Sequence, residues 1–258
     1  MITEVVFNEM VEKARKCTYS SMNYLEYKDC KHSEIIEYDD SLILVLDESG
    51  VRSVLHFATQ DFEGVLQCIR TIKKAIKLNF VTKVYAAALK DLGFIEWGEY
   101  QGFFNHNINK TRNNFENEVP IEFLKPGQAE LVISVVNNCM LQSRGFAGFP
   151  PSFYKDMAED GKIIISRKND EIIGFCVVDI YDSGVQTLHI KEIAVNPAHQ
   201  GQGFAKKLLN QSFEWGIKQS ATKTFLMADI LNVHAISLYK KYHFEPDGDD
   251  TELQMIRT

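Results

Sequence analysis

No two cysteines in this sequence stand at the CxxC spacing that holds zinc, and the five present, Cys17, Cys30, Cys68, Cys139 and Cys176, are an odd number. Neither a disulfide framework nor a metal site is expected, and the thiols read as reduced and mostly buried. Long hydrophobic runs are missing too: none approaches the roughly 20 apolar residues that cross a bilayer. The opening MITEVVFNEMVEKARKC lacks the charged-then-apolar order of a signal peptide, so a cytoplasmic location without membrane attachment is expected. Positive charge is in deficit, with 28 Lys and Arg against 35 Asp and Glu and a net charge of −7. A phosphate-backbone partner needs a basic face, so nucleic acid is not expected as a partner. Self-association is left open.

What the 258 residues do contain is a 45% hydrophobic share, enough to fill the core of one large domain or two ordinary ones. Apolar Phe7, Met10, Val11 and Ala14 have helical spacing. LILVLD (42–47) and VRSVLHFA (51–58) read as two strands around a tight turn. From Phe62 the positions Val65, Leu66, Ile69, Ile72 and Ile76 predict one amphipathic helix. The polar, Asn-rich NINKTRNNFENEVP (107–120) reads as a boundary, cut near residue 115.

Beyond it, VPIEFL (119–124) predicts a strand, and a helix follows with Leu131, Val132, Val135, Val136 and Cys139 on its apolar face. QSRGFAGFPPSFYKDM (142–157) alternates aromatics with Gly and Pro and predicts a loop or short helix. KIIISR, EIIGFCVVDIY and VQTLHIKEIAV then predict an antiparallel meander ending at Val195. A glycine loop, a helix to about Ser220, a strand at 223–230, a helix at 233–242 and a last strand near LQMIRT complete the order. The fold class is α/β, with helices against a mixed, mostly antiparallel sheet.

The loop HQGQGFA places Gly201, Gly203 and Ala205 between a strand and a helix start, where N–H groups have no partner inside the helix. Small side chains let an anionic group approach those N–H groups, and the helix dipole adds attraction, so a pyrophosphate fits. A plain turn before a helix fits the same residues, and the P-loop kind of nucleotide site is disfavoured because no Gly-Lys-Ser/Thr follows.

Two further features make the pattern specific. Gln200-Gly201-Gln202-Gly203-Phe204-Ala205 matches Q/R-x-x-G-x-G/A, and Asn232, Ala235, Leu238-Tyr239 and His243-Phe244 follow downstream in the order Asn, Ala, Leu-Tyr, Gly-Phe, with His243 in place of Gly. In both respects residues 116–258 resemble the GNAT acetyltransferase superfamily. The resemblance implies an acyl-CoA N-acyltransferase-like fold and transfer of an acetyl group from acetyl-CoA to a primary amine of a small molecule or peptide. It implies that Gln200, Gly201, Gln202, Gly203, Phe204 and Ala205 hold the pyrophosphate. Ile193, Ala194 and Val195 would then guide the pantetheine arm, with Asn232 and Ala235 beside it. Tyr239 matches the family tyrosine that protonates the departing thiolate, though a core tyrosine fits the position as well.

An amine must lose a proton to attack, and Glu192 on the strand 185–195 is the candidate base, with His189 second. Strict alternation puts Ile190, Glu192 and Ala194 on one face and His189, Lys191, Ile193 and Val195 on the other. A surface carboxylate paired with a lysine is the competing reading of Glu192. Arg144, Phe146, Phe149 and Tyr154 are candidates to line the acceptor site, against the plainer role of covering the core. A non-catalytic acyl-CoA sensor, its acceptor pocket filled by Phe146 and Phe149, is the alternative function.

Residues 41–104 repeat the pattern in reduced form, closing on Gly93-Phe94, but HFATQDFEGVL has no Q-x-x-G-x-G/A and puts Asp61 and Glu63 at the helix start. Aligning the closing Phe residues sets Leu89 opposite Tyr239. The chain therefore reads as two tandem GNAT-like units, a degenerate one over 1–115 and a catalytic one over 116–258.

Overall fold

The computed structural model describes residues 2–23, 25, 27–30, 32–49, 52–112, 121–140, 146, 148–182 and 184–258. Two units emerge, residues 1–100 with 251–258, and residues 101–250. The boundary expected near residue 115 lies outside the described residues.

In the first unit, α1 (Glu4–Ala14) starts where Thr3 Oγ1 accepts the Val6 N–H, and it buries Phe7, Met10 and Ala14. β1 (Tyr19–Ser20) and α2 (Tyr27–Cys30) lead to β2 (Glu34–Tyr38), β3 (Leu42–Asp47) and β4 (Ser53–Thr59), the last three an antiparallel meander. Next come α3 (Phe62–Thr71), β5 (Ile76–Thr82) parallel to β4, α4 (Ala86–Asp91) and β6 (Ile95–Asn105), which belongs to this unit through Tyr100. The helix expected to run to Ile76 ends earlier. Ile72 already has extended φ/ψ, and Ile76 opens β5 instead of adding a turn. A four-residue apolar interval suits either structure, and the β-branched pair Thr71-Ile72 favours the exit.

The second unit takes the end of β6, then α5 (Ile108–Arg112), α6 (Ala129–Met140) and α7 (Pro151–Glu159). β7 (Ile163–Lys168), β8 (Glu171–Asp182) and β9 (Gln186–Val195) form the expected antiparallel meander. α8 (Phe204–Lys218), β10 (Lys223–Asp229), α9 (Val233–Lys241) and β11 (Glu245–Pro246) follow, with β10 parallel to β9. The last strand, β12 (Glu252–Arg257), returns to the first unit, antiparallel to β5 and β6. The strand expected at 119–124 shortens to an isolated Phe123–Ile164 bridge, with residues 119–120 outside the described set.

Each sheet is buried on both faces. In the second unit, α8 and α9 cover Cys176, Val178, Leu188 and Ile190, while α6 and α7 cover Ile163, Phe175 and Val177. In the first, α3 and α4 cover Leu55, Phe57 and Leu78, while α1 covers Ile43, Val45 and Ala58.

The two units share one plan: an antiparallel pair, a helix, a parallel strand, a short helix. They also close that last helix alike. Phe94 N donates to Leu89 O at 3.0 Å, and Phe244 N donates to Tyr239 O at 3.1 Å. The residue before each Phe is left-handed, Gly93 at φ 83° and His243 at φ 57°. Glycine adopts that region freely and a residue with Cβ does not, at a cost of about 1 kcal/mol. His243→Gly is therefore expected to exceed His243→Ala in stability by about 1 kcal/mol by urea denaturation, and Gly93→Ala to lose about as much.

Candidate active site

β8 and β9 pair in register from Gly174–Val195 to Val177–Glu192, then resume at Val178–Ile190. Lys191 is the inserted residue of a β-bulge, a feature that re-aims side chains near sites. The alternation expected from sequence fails there. Leu188 and Ile190 face α8; past the bulge Ile193 and Val195 take that face, while Glu192 and Ala194 turn towards α6 and α7. With Lys191 as an ordinary strand residue and no bulge, Glu192 would have shared the face of Ile190. Asp179 of β8 lies 3.5 Å from Lys191 Nζ through Oδ2 and 2.8 Å from Lys162 Nζ through Oδ1. Lys191 is nearly enclosed, its side chain 6% exposed.

Glu192 is 7% exposed, not a surface partner for lysine. Tyr154 Oη on α7 donates to Glu192 Oε2 at 2.8 Å and accepts the Phe149 N–H at 2.9 Å. Glu192 Oε1 is buried without a hydrogen bond among the described residues. Desolvation lifts the carboxyl to about 8, the Tyr154 bond opposing the rise. Burial, then the Glu192 charge, pushes the Cys139 thiol up to about 11 and raises the Tyr154 phenol well above its ordinary value.

β9 and β10 pair only at Thr187–Lys223, Leu188–Thr224 and His189–Phe225. Past His189 the strands part, so the β9 stretch carrying Glu192, Ile193, Ala194 and Val195 has no register partner on β10. His189 itself sits at the last pair, its ring between Tyr181 and Phe225. The Val195 carbonyl, where β9 ends, accepts Gln200 Nε2 at 3.1 Å and the Cys139 thiol at 3.5 Å. Gln200 thereby ties the glycine loop to the strand end.

In that loop Gly201 and Gly203 have φ of 73° and 87°, and a Cβ at either would meet no atom within 4 Å. Gly203 is the N-cap of α8 and offers no side-chain acceptor. Among the described residues, the N–H groups of Gly201, Gln202, Gly203, Phe204 and Ala205 have no protein acceptor. Lys168 Nζ reaches Gln202 Oε1 at 3.0 Å, adding a cation beside the loop that the sequence pattern did not single out. The equivalent start in the first unit differs: Asp61 Oδ1 caps α3 by accepting the Glu63 N–H.

Tyr239 is 6% exposed and packs with Phe103 and Phe244 on the α8 and α9 side. Burial raises its phenol above the ordinary range, so it keeps its proton at neutral pH. Asn232 Oδ1 accepts the Ala235 N–H at 3.1 Å as the N-cap of α9, leaving its amide donors for other use. Phe146 leans on the α6–α7 core, Phe149 is 42% exposed and stacks on Phe153, and Arg144 lies outside the described residues. Tyr154, expected at the acceptor surface, is instead almost fully buried as the donor to Glu192. No local signal announces that contact, which spans 38 residues of sequence.

Residues 134–244 match the model of the Acetyltransferase (GNAT) family. Over 99 residues the chain is 27% identical to a Bacillus subtilis (strain 168) protein provisionally named ribosomal protein bS18-alanine N-acetyltransferase, covering 38% of this chain and 64% of that protein. It is 24% identical over 115 residues to a Mus musculus protein provisionally named N-acetyltransferase family 8 member 5, covering 45% and 48%. The chain thus spans about half to two thirds of those relatives. Among solved structures, a Drosophila protein aligns over 100% of this chain and 97% of its own at TM-score 0.66 and 11% identity. A GNAT-family acetyltransferase from Colwellia psychrerythraea aligns over 99% and 97% at TM-score 0.58 and 12% identity. At such identities the likeness is one of fold.

A carboxyl that folding raises from 4.5 to about 8 binds its proton more tightly in the folded chain, so stability falls as pH climbs through that window. Glu192→Gln removes the titration. Urea denaturation at pH 5 and pH 8 is expected to show wild type losing a few kcal/mol relative to this variant over the interval.

Proposed function

We propose, from the GNAT acetyltransferase segment at residues 134–244, that the second unit transfers an acetyl group from acetyl-CoA to a primary amine of a small molecule or peptide. The observation that carries this reading is the row of unclaimed N–H groups from Gly201 to Ala205, at a helix start with open space around both glycines. Such a start fits a diphosphate, and Lys168 adds positive charge beside it. Acetyl-CoA would supply the acyl group as a reactive thioester.

The residues divide the remaining work. The main chain of β9 past His189, free of β10, offers edge groups to the pantetheine arm and a donor to the thioester oxygen as charge gathers there. Glu192 in its ionised form accepts the proton that the amine releases, and that form grows as pH rises towards about 8. Tyr239, held protonated by burial, gives a proton to the leaving sulfur. The two groups approach the opened end of the sheet from opposite faces, Glu192 with α7 and Tyr239 with α9. Phe146, Phe149 and Arg144 belong to the segment that would meet the acceptor. An acidic chain favours a cationic one, such as a polyamine, an aminoglycoside or a peptide amine. In the first unit the Asp61 cap and Leu89 leave neither cradle nor proton donor, so that unit takes no part in the chemistry.

Incubation with acetyl-CoA and a panel of amines, with thiol release as the readout, is expected to show release that depends on the acceptor. Tyr239→Phe should lower kcat about a hundredfold, and Glu192→Gln should abolish an alkaline rise of rate centred near 8. Tight binding of acetyl-CoA with no release for any amine would mark a sensor instead.

A further inference from the structure

One face of the first unit's sheet carries polar groups that its own fold leaves unused. Along β5, Ile76 and Leu78 enter the core under α3 and α4, so Lys77 between them stands on the other face; Asn79 follows, where the pairing with β12 shifts register between Leu78 and Val81. His56 of β4 and Gln254 of β12 share the face of Lys77, because Leu55, Phe57, Leu253 and Met255 enter that same core. Arg52, just before β4, lays its guanidinium 4.9 Å from the centre of the Trp97 ring on β6.

His56 Nδ1, Asn79 Oδ1, Trp97 Nε1 and Gln254 Oε1 are buried with no hydrogen bond among the described residues. Such an atom keeps its desolvation penalty with nothing to offset it, so four of them on neighbouring strands are disfavoured by folding alone. The charges are unbalanced as well. Burial, then the Arg52 charge, pushes the Lys77 ammonium down to about 8, and no ion pair holds it among the described residues. His56, facing Lys77 and Asp47, is driven by burial down to about 4 and is neutral at pH 7. Asp47 is the carboxylate whose charge His56 feels, and its oxygens accept from Ser49 N and Ser49 Oγ.

We propose that this face of the first unit binds a small oxyanion, a carboxylate or phosphate group held between Lys77 and Arg52 with the Trp97 N–H as a neutral donor. An oxyanion relieves the repulsion of the two cations and forms charge-assisted bonds to both. The amides of Asn79 and Gln254 serve the rest of the ligand, presenting oxygen or nitrogen as it requires. The site lies within the first unit and does not depend on acetyl transfer by the second.

Calorimetry and thermal unfolding of the full chain at pH 7 and fixed ionic strength test this, with chloride as baseline and sodium phosphate or sodium succinate in its place. Saturable binding of at least one oxyanion, with a raised Tm, is expected; which one binds tells phosphate from carboxylate. Lys77→Met should weaken binding at least about tenfold and raise Tm in chloride, because a buried charge is gone. Arg52→Gln, at a less enclosed position, should weaken binding without that gain. Wild-type binding should fade above pH 8 as Lys77 loses its proton. Equal Tm in all three salts, or undiminished binding by both variants, would overturn the proposal.

Discussion

A single extra residue in β9 sets the terms for the second unit. Without the bulge at Lys191 the strand would keep its alternation, and Glu192 would share the face of Ile190, against α8. With it, the carboxyl crosses to α7, where Tyr154 supplies one hydrogen bond and burial does the rest. The ion cluster of Lys162, Asp179 and Lys191 sits at the same place, so charge pairing and register support one another. A buried carboxyl with one satisfied oxygen and one free is unstable as an anion and useful as a proton acceptor. On the proposed function, stability and reactivity here follow from the same desolvation.

The two units show how little of the backbone plan decides chemistry. Each has a helix entered from a strand and followed by a parallel strand, and each closes its next helix with a left-handed residue before Phe. What differs is the occupancy of a few N–H groups. Asp61 caps α3 with its own carboxylate, whereas α8 begins at Gly203 with none. An anion at the first start would meet negative charge already in place; at the second it would meet unclaimed donors and Lys168 nearby. The unused polar groups around Lys77 are what the oxyanion proposal for the first unit rests on.

Local pattern made much of this legible. The strands of the meander, the glycine loop and α9 with its Asn232 cap could be read because turn residues, β-branched runs and cap chemistry are short-range properties. His243 stands where the motif has Gly, and it takes the positive φ that favours glycine. The bulge was not readable, since an inserted residue leaves no mark in a strand that looks uniform; the face of Glu192 was misjudged for that reason. The bond from Tyr154 joins α7 to β9 across the fold, and no spacing rule reaches that far. Ile76 shows the other limit: an apolar residue four positions after Ile72 suits a helix until the chain leaves it.

The central claim is that the bulge delivers Glu192 to a dry place where it keeps a proton near neutral pH. A 13C-detected titration of the glutamate side-chain carboxyls, with Glu192 assigned by the loss of its signal in Glu192→Gln, reads this directly. One carboxyl with a midpoint near 8 is the predicted result. A Glu192 signal that titrates with the other glutamates, at about 4, would contradict it.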